Sequence, residues 1–174
     1  SLVAMCNTLI VGFMVTNGTP MIPAIAIGLA LGILAGFLHG VIIANFKVPA
    51  FIVTLAMMNI TKGAAYIYSG GRSTRIVEDS FNAIGTGYVG FLPLPVLYMV
   101  ILIAIFSFMM NKTRFGTHVY AIGGNREAAR LSGVRIKRVE IAVFTISGFL
   151  AAFAGLILCS RMYSGQPNVG DGYE

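Results

Sequence analysis

The stretch Met21-Ile-Pro-Ala-Ile-Ala-Ile-Gly-Leu-Ala-Leu-Gly-Ile-Leu-Ala-Gly-Phe-Leu-His-Gly-Val-Ile-Ile-Ala44 carries no charged side chain, and Gly28, Gly32, Gly36 and Gly40 recur in it at every fourth position. A helix needs about 20 apolar residues to cross about 30 Å of hydrocarbon, so this stretch reads as a membrane span. On a helix, glycines at that spacing line up as a groove where a neighbouring backbone can come close and van der Waals packing drives association. The expectation is an inner helix of a bundle, with the four glycines serving helix packing rather than chemistry. Gly148, Ala152 and Gly155 repeat the pattern more weakly.

The rest of the chain has the same character. It is 57% hydrophobic and 10% charged, with a mean hydropathy of +0.85 and no acidic residue before Glu78. A soluble core of this size does not require so much apolar surface. The predicted fold is all-α, a polytopic transmembrane helical bundle of five spans at residues 2–16, 21–44, 48–69, 92–110 and 139–160. Outer loops fall at 17–20, 70–91 and 161–174, and one long polar loop at 111–138. Because the chain opens at Ser1 without an initiator Met or a charged leader, the first span reads as a truncated helix rather than a signal peptide. Both ends read as cuts through a longer protein.

Charge sets the orientation. Seven of the twelve basic residues lie between Lys112 and Arg138, and with Lys47 they place eight on one side of an alternating five-span bundle. The other side holds four, Lys62, Arg72, Arg75 and Arg161, two of them offset by Glu78 and Asp79. Short loops rich in Lys and Arg stay cytoplasmic, so the loop 111–138 is assigned inside. The pI near 9.6 is then a consequence of topology, and a nucleic-acid partner is not needed to explain it.

The third span carries polar residues in its interior: Thr54, Asn59, Thr61 and Lys62. Polar groups at such depth face a bundle interior or a water-filled path, which makes these four the candidates for a substrate path. The competing readings are interhelical hydrogen bonds for Thr54 and Asn59, and snorkelling to the outer interface for Lys62. Gly63 after this cluster raises the prospect of a helix break.

Within the inner loop, Gly123-Gly124 interrupts the chain, Asn125 is a favourable N-cap, and Glu127 falls in the first turn, where a carboxylate suits the helix dipole. Gly133 suits the left-handed position that ends a helix. The pattern predicts a short helix over residues 126–132. So short a helix is marginal alone in water and needs something to pack against.

Glu127-Ala-Ala129, followed by three residues and Gly133, resembles the Glu-Ala-Ala loop of bacterial ATP-binding-cassette importer permeases. The wider text, Lys112-Thr-Arg-Phe-Gly116 and then Tyr120 to Gly133, is similar to the ribose, galactose and xylose branch of that family. So are Lys47-Val-Pro-Ala-Phe-Ile-Val-Thr-Leu55 and the segment from Ser164-Gly-Gln-Pro through Gly172-Tyr-Glu174. One departure is that Val143-Phe-Thr-Ile146 stands where the longer motif has an Ile-x-Leu-Pro element, and proline is missing.

The resemblance implies a permease subunit of the bacterial cytoplasmic (inner) membrane that forms half of a translocation path for a simple sugar. Asn125, Arg126, Glu127, Ala128, Ala129, Arg130, Leu131 and Gly133 would dock on a separate ATPase subunit. The other implied partners are a periplasmic or lipid-anchored sugar-binding protein, a second permease subunit and membrane lipid. No cofactor is expected in this chain, since ATP would be bound by the partner. Permeases for branched-chain amino acids or nucleosides, and a passive channel or facilitator, stay open as alternatives.

Other motifs carry less. No Gly-x4-Gly-Lys-Ser/Thr loop accompanies Gly123-Gly124, so the chain is expected to have no ATP site of its own. Cys6 and Cys159 fall inside predicted spans and read as small buried hydrophobes. His39 and His118 are isolated, and neither a metal site nor a catalytic cluster is expected.

Overall fold

The structure is a computed structural model that describes residues 5–6, 9–12, 20–46, 49–76 and 79–168. In chain order the elements are α1 (Met21–Phe46), α2 (Ala50–Ser69), β1 (Thr74–Arg75), α3 (Asp79–Thr86), β2 (Tyr88–Val89), β3 (Leu92–Pro93), α4 (Leu94–Lys112), α5 (Arg114–Gly124), α6 (Arg126–Leu131), α7 (Ile136–Met162) and β4 (Ser164–Gly165). Among the described residues four helices, α1, α2, α4 and α7, are long and apolar enough to cross a membrane. The fold is therefore the expected polytopic helical bundle. The predicted first span lies largely outside the described residues. Its described part, Met5–Cys6 and residues 9–12, is helical, and Met5, Cys6, Ile10 and Val11 are buried.

The principal packing is α1 on α7. A carbon added at Gly32 would stand 2.9 Å from the Gly148 carbonyl oxygen, and one added at Gly40 would stand 2.7 Å from Ile141 Cα. Side chains are thus absent from α1 where the backbone of α7 passes. Gly32 and Gly36 meet the small residues Gly148 and Ala152 of α7, and Gly40 meets Ile141 and Phe144. Gly28 differs, because it abuts Ile10 of the N-terminal segment.

The helix ends follow from local chemistry. Pro49 precedes α2, and Gly70, at φ 60°, closes it in the left-handed region with its N–H on the Tyr66 carbonyl. The break considered at Gly63 does not occur, since α2 runs through it. Pro93 and Pro95 start α4, where missing amide donors cost nothing. Thr113 both ends α4 and caps α5, accepting a hydrogen bond from the Gly116 amide at 3.4 Å.

Two predicted loops are corrected. The loop expected over 70–91 contains helix α3 and strand β2, whose hairpin partner β3 takes the first two residues of the span expected at 92–110, and its β1 strand pairs antiparallel with β4, Thr74 opposite Gly165 and Arg75 opposite Ser164. Distant backbone supplies the pairing that the local sequence lacks. The loop expected over 111–138 begins instead with two more residues of α4 and then α5, which folds back on α4. Gly116 permits that return, because a carbon there would meet the backbone of Met110.

Candidate functional site

At the basic end of the bundle, α6 is built as a capped helix. The Asn125 side-chain oxygen accepts a hydrogen bond from the Ala128 amide at 3.0 Å, and Glu127 lies in the first turn with Arg130 in the last. Both charges complement the helix dipole. The C-terminus is a Schellman motif: the Gly133 amide donates to the Arg130 carbonyl at 3.0 Å and the Val134 amide to the Ala129 carbonyl at 3.1 Å, with Gly133 at φ 83°. The helix ends at Leu131 with Ser132 as its cap, one residue short of the span expected from sequence.

A helix this short is held by its surroundings. The Arg126 guanidinium meets Glu140 of α7 through two contacts, Nη1 to Oε1 at 2.7 Å and Nη2 to Oε2 at 3.1 Å. That is the bidentate fork that fixes direction as well as distance. Nearby, Lys137 Nζ donates to Asn45 Oδ1 at 3.0 Å, tying the start of α7 to the end of α1. No motif in the sequence marks Glu140. Its one available signal was its position as the sole carboxylate within α7.

These residues border a cleft of about 990 Å³. Ile43, Ala44, Pro49 and Phe144 form apolar walls, and Arg130, Arg135, Lys137 and Arg138 join Arg126 as its basic rim. Beside it α6 presents Glu127, Arg130 and an 88% exposed Leu131 to solvent. The two alanines differ: Ala128 is exposed, whereas Ala129 is buried where α6 meets α5 and α7. Ala129 seats the helix on its own chain. The arrangement offers a projecting, charged helix end with one large apolar side chain, which suits insertion into a complementary groove.

The polar residues of α2 are not brought to one face. At 3.6 residues per turn, Thr54 and Thr61 lie within about 20° of each other, and Asn59 and Lys62 lie within about 60° on a different side. Thr54 donates to the Phe51 carbonyl at 3.0 Å, Asn59 to the Leu55 carbonyl at 3.2 Å and Thr61 to the Met57 carbonyl at 2.8 Å. These bonds keep the two hydroxyls and the Asn59 amide nitrogen within their own helix, and Thr61 is buried while Asn59 is exposed. His39, also buried, contacts the Ala35 carbonyl through Nδ1 at 2.6 Å. Among the described residues no group of three or more His, Cys, Asp or Glu is arranged to hold a metal.

The family described as "Branched-chain amino acid transport system / permease component" matches residues 1–174. The chain is 41% identical over 165 residues to the ribose import permease protein RbsC of Haemophilus influenzae, covering 92% of this chain and 51% of that protein. It is 48% identical over 136 residues to the L-arabinose transport system permease protein AraH of Escherichia coli K12, covering 78% and 42%. The ribose import permease protein RbsC of Bacillus subtilis is 35% identical over 176 residues, covering 100% and 54%. The chain thus spans about half the length of the curated relatives it matches. No solved structure matches it with significance. With a family match along its whole length and several membrane-crossing helices, the chain is a multi-pass bacterial membrane protein that belongs to the branched-chain amino acid transport system permease family.

Proposed function

We propose that this chain contributes to one half of the translocation path of an ATP-binding-cassette importer for a simple sugar, a pentose or hexose. The observation that carries the proposal is the 35–48% identity to permeases named for ribose and L-arabinose. The capped α6 helix supports it, because a passive facilitator has no use for a projecting dock. In this reading α6 inserts into a separate ATPase subunit through Glu127, Arg130 and Leu131, with Asn125 and Gly133 fixing its ends. ATP is bound and hydrolysed by that partner, and this chain catalyses no reaction and needs no cofactor of its own. A sugar-binding protein delivers substrate to the outer face, and a second permease subunit completes the path. Of the polar groups on α2, we assign Asn59 to the path with Lys62 on its side of the helix, while Thr54 and Thr61 lie on a different side.

The family's description favours a second reading, a branched-chain amino acid as substrate. Reconstitution of the permease with its ATPase and binding protein in liposomes separates the possibilities. ATP-dependent accumulation of labelled ribose or arabinose is the expected result. Accumulation of leucine instead would select the second reading, and sugar flux that ignores ATP and the ATPase would sink the importer reading.

A further inference from the structure

The helix α6 is fastened to α7 at both of its ends. At its C-terminus the link is short and hydrogen-bonded: beyond the Schellman pair, the Ile136 amide donates to the Val134 carbonyl at 3.0 Å and the Arg138 amide to the Arg135 carbonyl at 3.0 Å. At its N-terminus the Arg126 fork reaches Glu140, 14 positions on, in the second turn of α7. Two attachment points set at opposite ends of a rod remove its freedom to pivot. A guanidinium fork also resists rotation, which a single point charge does not.

The joint to α5 is shorter: only Asn125 separates the two helices, its amide donates to the Ala121 carbonyl at 3.1 Å, α6 also packs on α5, and Gly123 and Gly124 come just before it. Neither glycine has a positive φ, and a carbon added at either would meet nothing within 4 Å. No steric or conformational demand in this state requires glycine there. What glycine supplies is backbone freedom at the α5 end.

We propose that Arg126 and Glu140 are positioning residues that lock α6 and α7 into one rigid lever, hinged against α5 at Gly123-Gly124. A displacement of α6 then passes undiminished into α7 and, through the Gly32, Gly36 and Gly40 contacts, into α1. This deepens the reading of α6 as an ATPase dock and rests on it.

The test uses the permease assembled with its ATPase and binding protein in lipid nanodiscs and liposomes. Glu140→Gln keeps side-chain size and removes the charge. The ATPase is expected to co-purify as with the parent protein, while sugar taken up per ATP hydrolysed falls at least fivefold, and Glu140→Asp recovers a substantial part of it. Unchanged coupling in Glu140→Gln overturns the proposal. Loss of ATPase co-purification in that variant also overturns it, by making the pair part of the dock. Spin labels on otherwise unaltered protein give a second measure that does not depend on the variant folding. The distance between labels at Ser132 and Ser147 should not change when ATP is added, and that between Thr117 and Ser132 should. A nucleotide-dependent shift in the first distance refutes the rigid lever. Failure of the docking reading has a different signature: Leu131→Asp would leave ATPase co-purification untouched.

Discussion

Gly36 of α1 and Gly148 of α7 face each other backbone to backbone: a carbon added at Gly36 would stand 2.9 Å from Gly148 Cα, and one added at Gly148 would stand 2.8 Å from Gly36 Cα. Real carbons do not approach so closely, and neither obstacle is the tip of a flexible side chain. The two helices have to separate to admit even a methyl group.

Gly36→Ala and Gly148→Ala are each expected to destabilise the bundle by about 1–3 kcal/mol, the usual cost of overpacking. Gly63→Ala is the control. It also lies inside a helix, but a carbon there meets nothing within 4 Å, so it should be neutral or stabilising by up to about 1 kcal/mol. Unfolding of the purified permease in a detergent titration ranks the three. Equal midpoints would show that the seam between α1 and α7 tolerates separation.

Asn125 is expected to matter through its side-chain oxygen alone. Replacing it with Ala removes the acceptor for the Ala128 amide and should cost α6 about 1 kcal/mol, whereas Asp or Ser should retain most of the cap. Arg126 and Arg130 then report fraying, because both are exposed and both are trypsin sites. Limited digestion should cut the Ala variant several times faster than the parent protein and the Asp variant at close to the parent rate.

Gly133 presents the opposite case, a glycine needed for its backbone angle and not for space. It sits at φ 83°, and a carbon added there would meet nothing within 4 Å. Gly133→Ala should therefore cost about 1–2 kcal/mol of left-handed strain, and Gly133→Asn less, since asparagine tolerates that region. In the proposed importer, ATPase co-purification should weaken in the order Gly, Asn, Ala, with Gly133→Arg lowest. An order following side-chain volume with no penalty for Ala would mean that conformation is not what the position demands.

What was legible in the sequence was whatever depends on near neighbours. Apolar runs marked the four membrane-crossing helices that the structure describes, the four-residue glycine period marked the packing face of α1, and Asn125 with Gly133 bounded α6 to within a residue. What depended on distant partners was hidden. The pairing of Arg126 with Glu140 requires the turn at Gly133, and β1 is ordered by β4 from far along the chain. Helix α5 was missed because Gly116, Gly123 and Gly124 lower its propensity, and its stability comes from folding against α4. The polar residues of α2 do not share one face for a related reason: proximity along a helix does not align side chains, and the hydroxyls of Thr54 and Thr61 and the amide of Asn59 bond back into the same helix.

Ser160 offers a test at the other end of the bundle. Its fully buried hydroxyl accepts from the Gly85 amide at 2.7 Å and donates to the Phe81 carbonyl at 2.7 Å, so one side chain of α7 completes the last turn of α3. Removing the oxygen strands a buried amide and a buried carbonyl at once. Ser160→Ala should therefore destabilise the protein by about 1–3 kcal/mol. The loss should be local before it is global, with amides of α3 exchanging with solvent faster while those of the α1 and α7 seam keep their protection. Hydrogen exchange followed by mass spectrometry reads both segments in one experiment. Unchanged exchange in α3 would mean that its pairing with α7 rests on the Phe81 side chain, buried in the apolar cluster with Leu156 and Cys159, and not on the Ser160 hydroxyl.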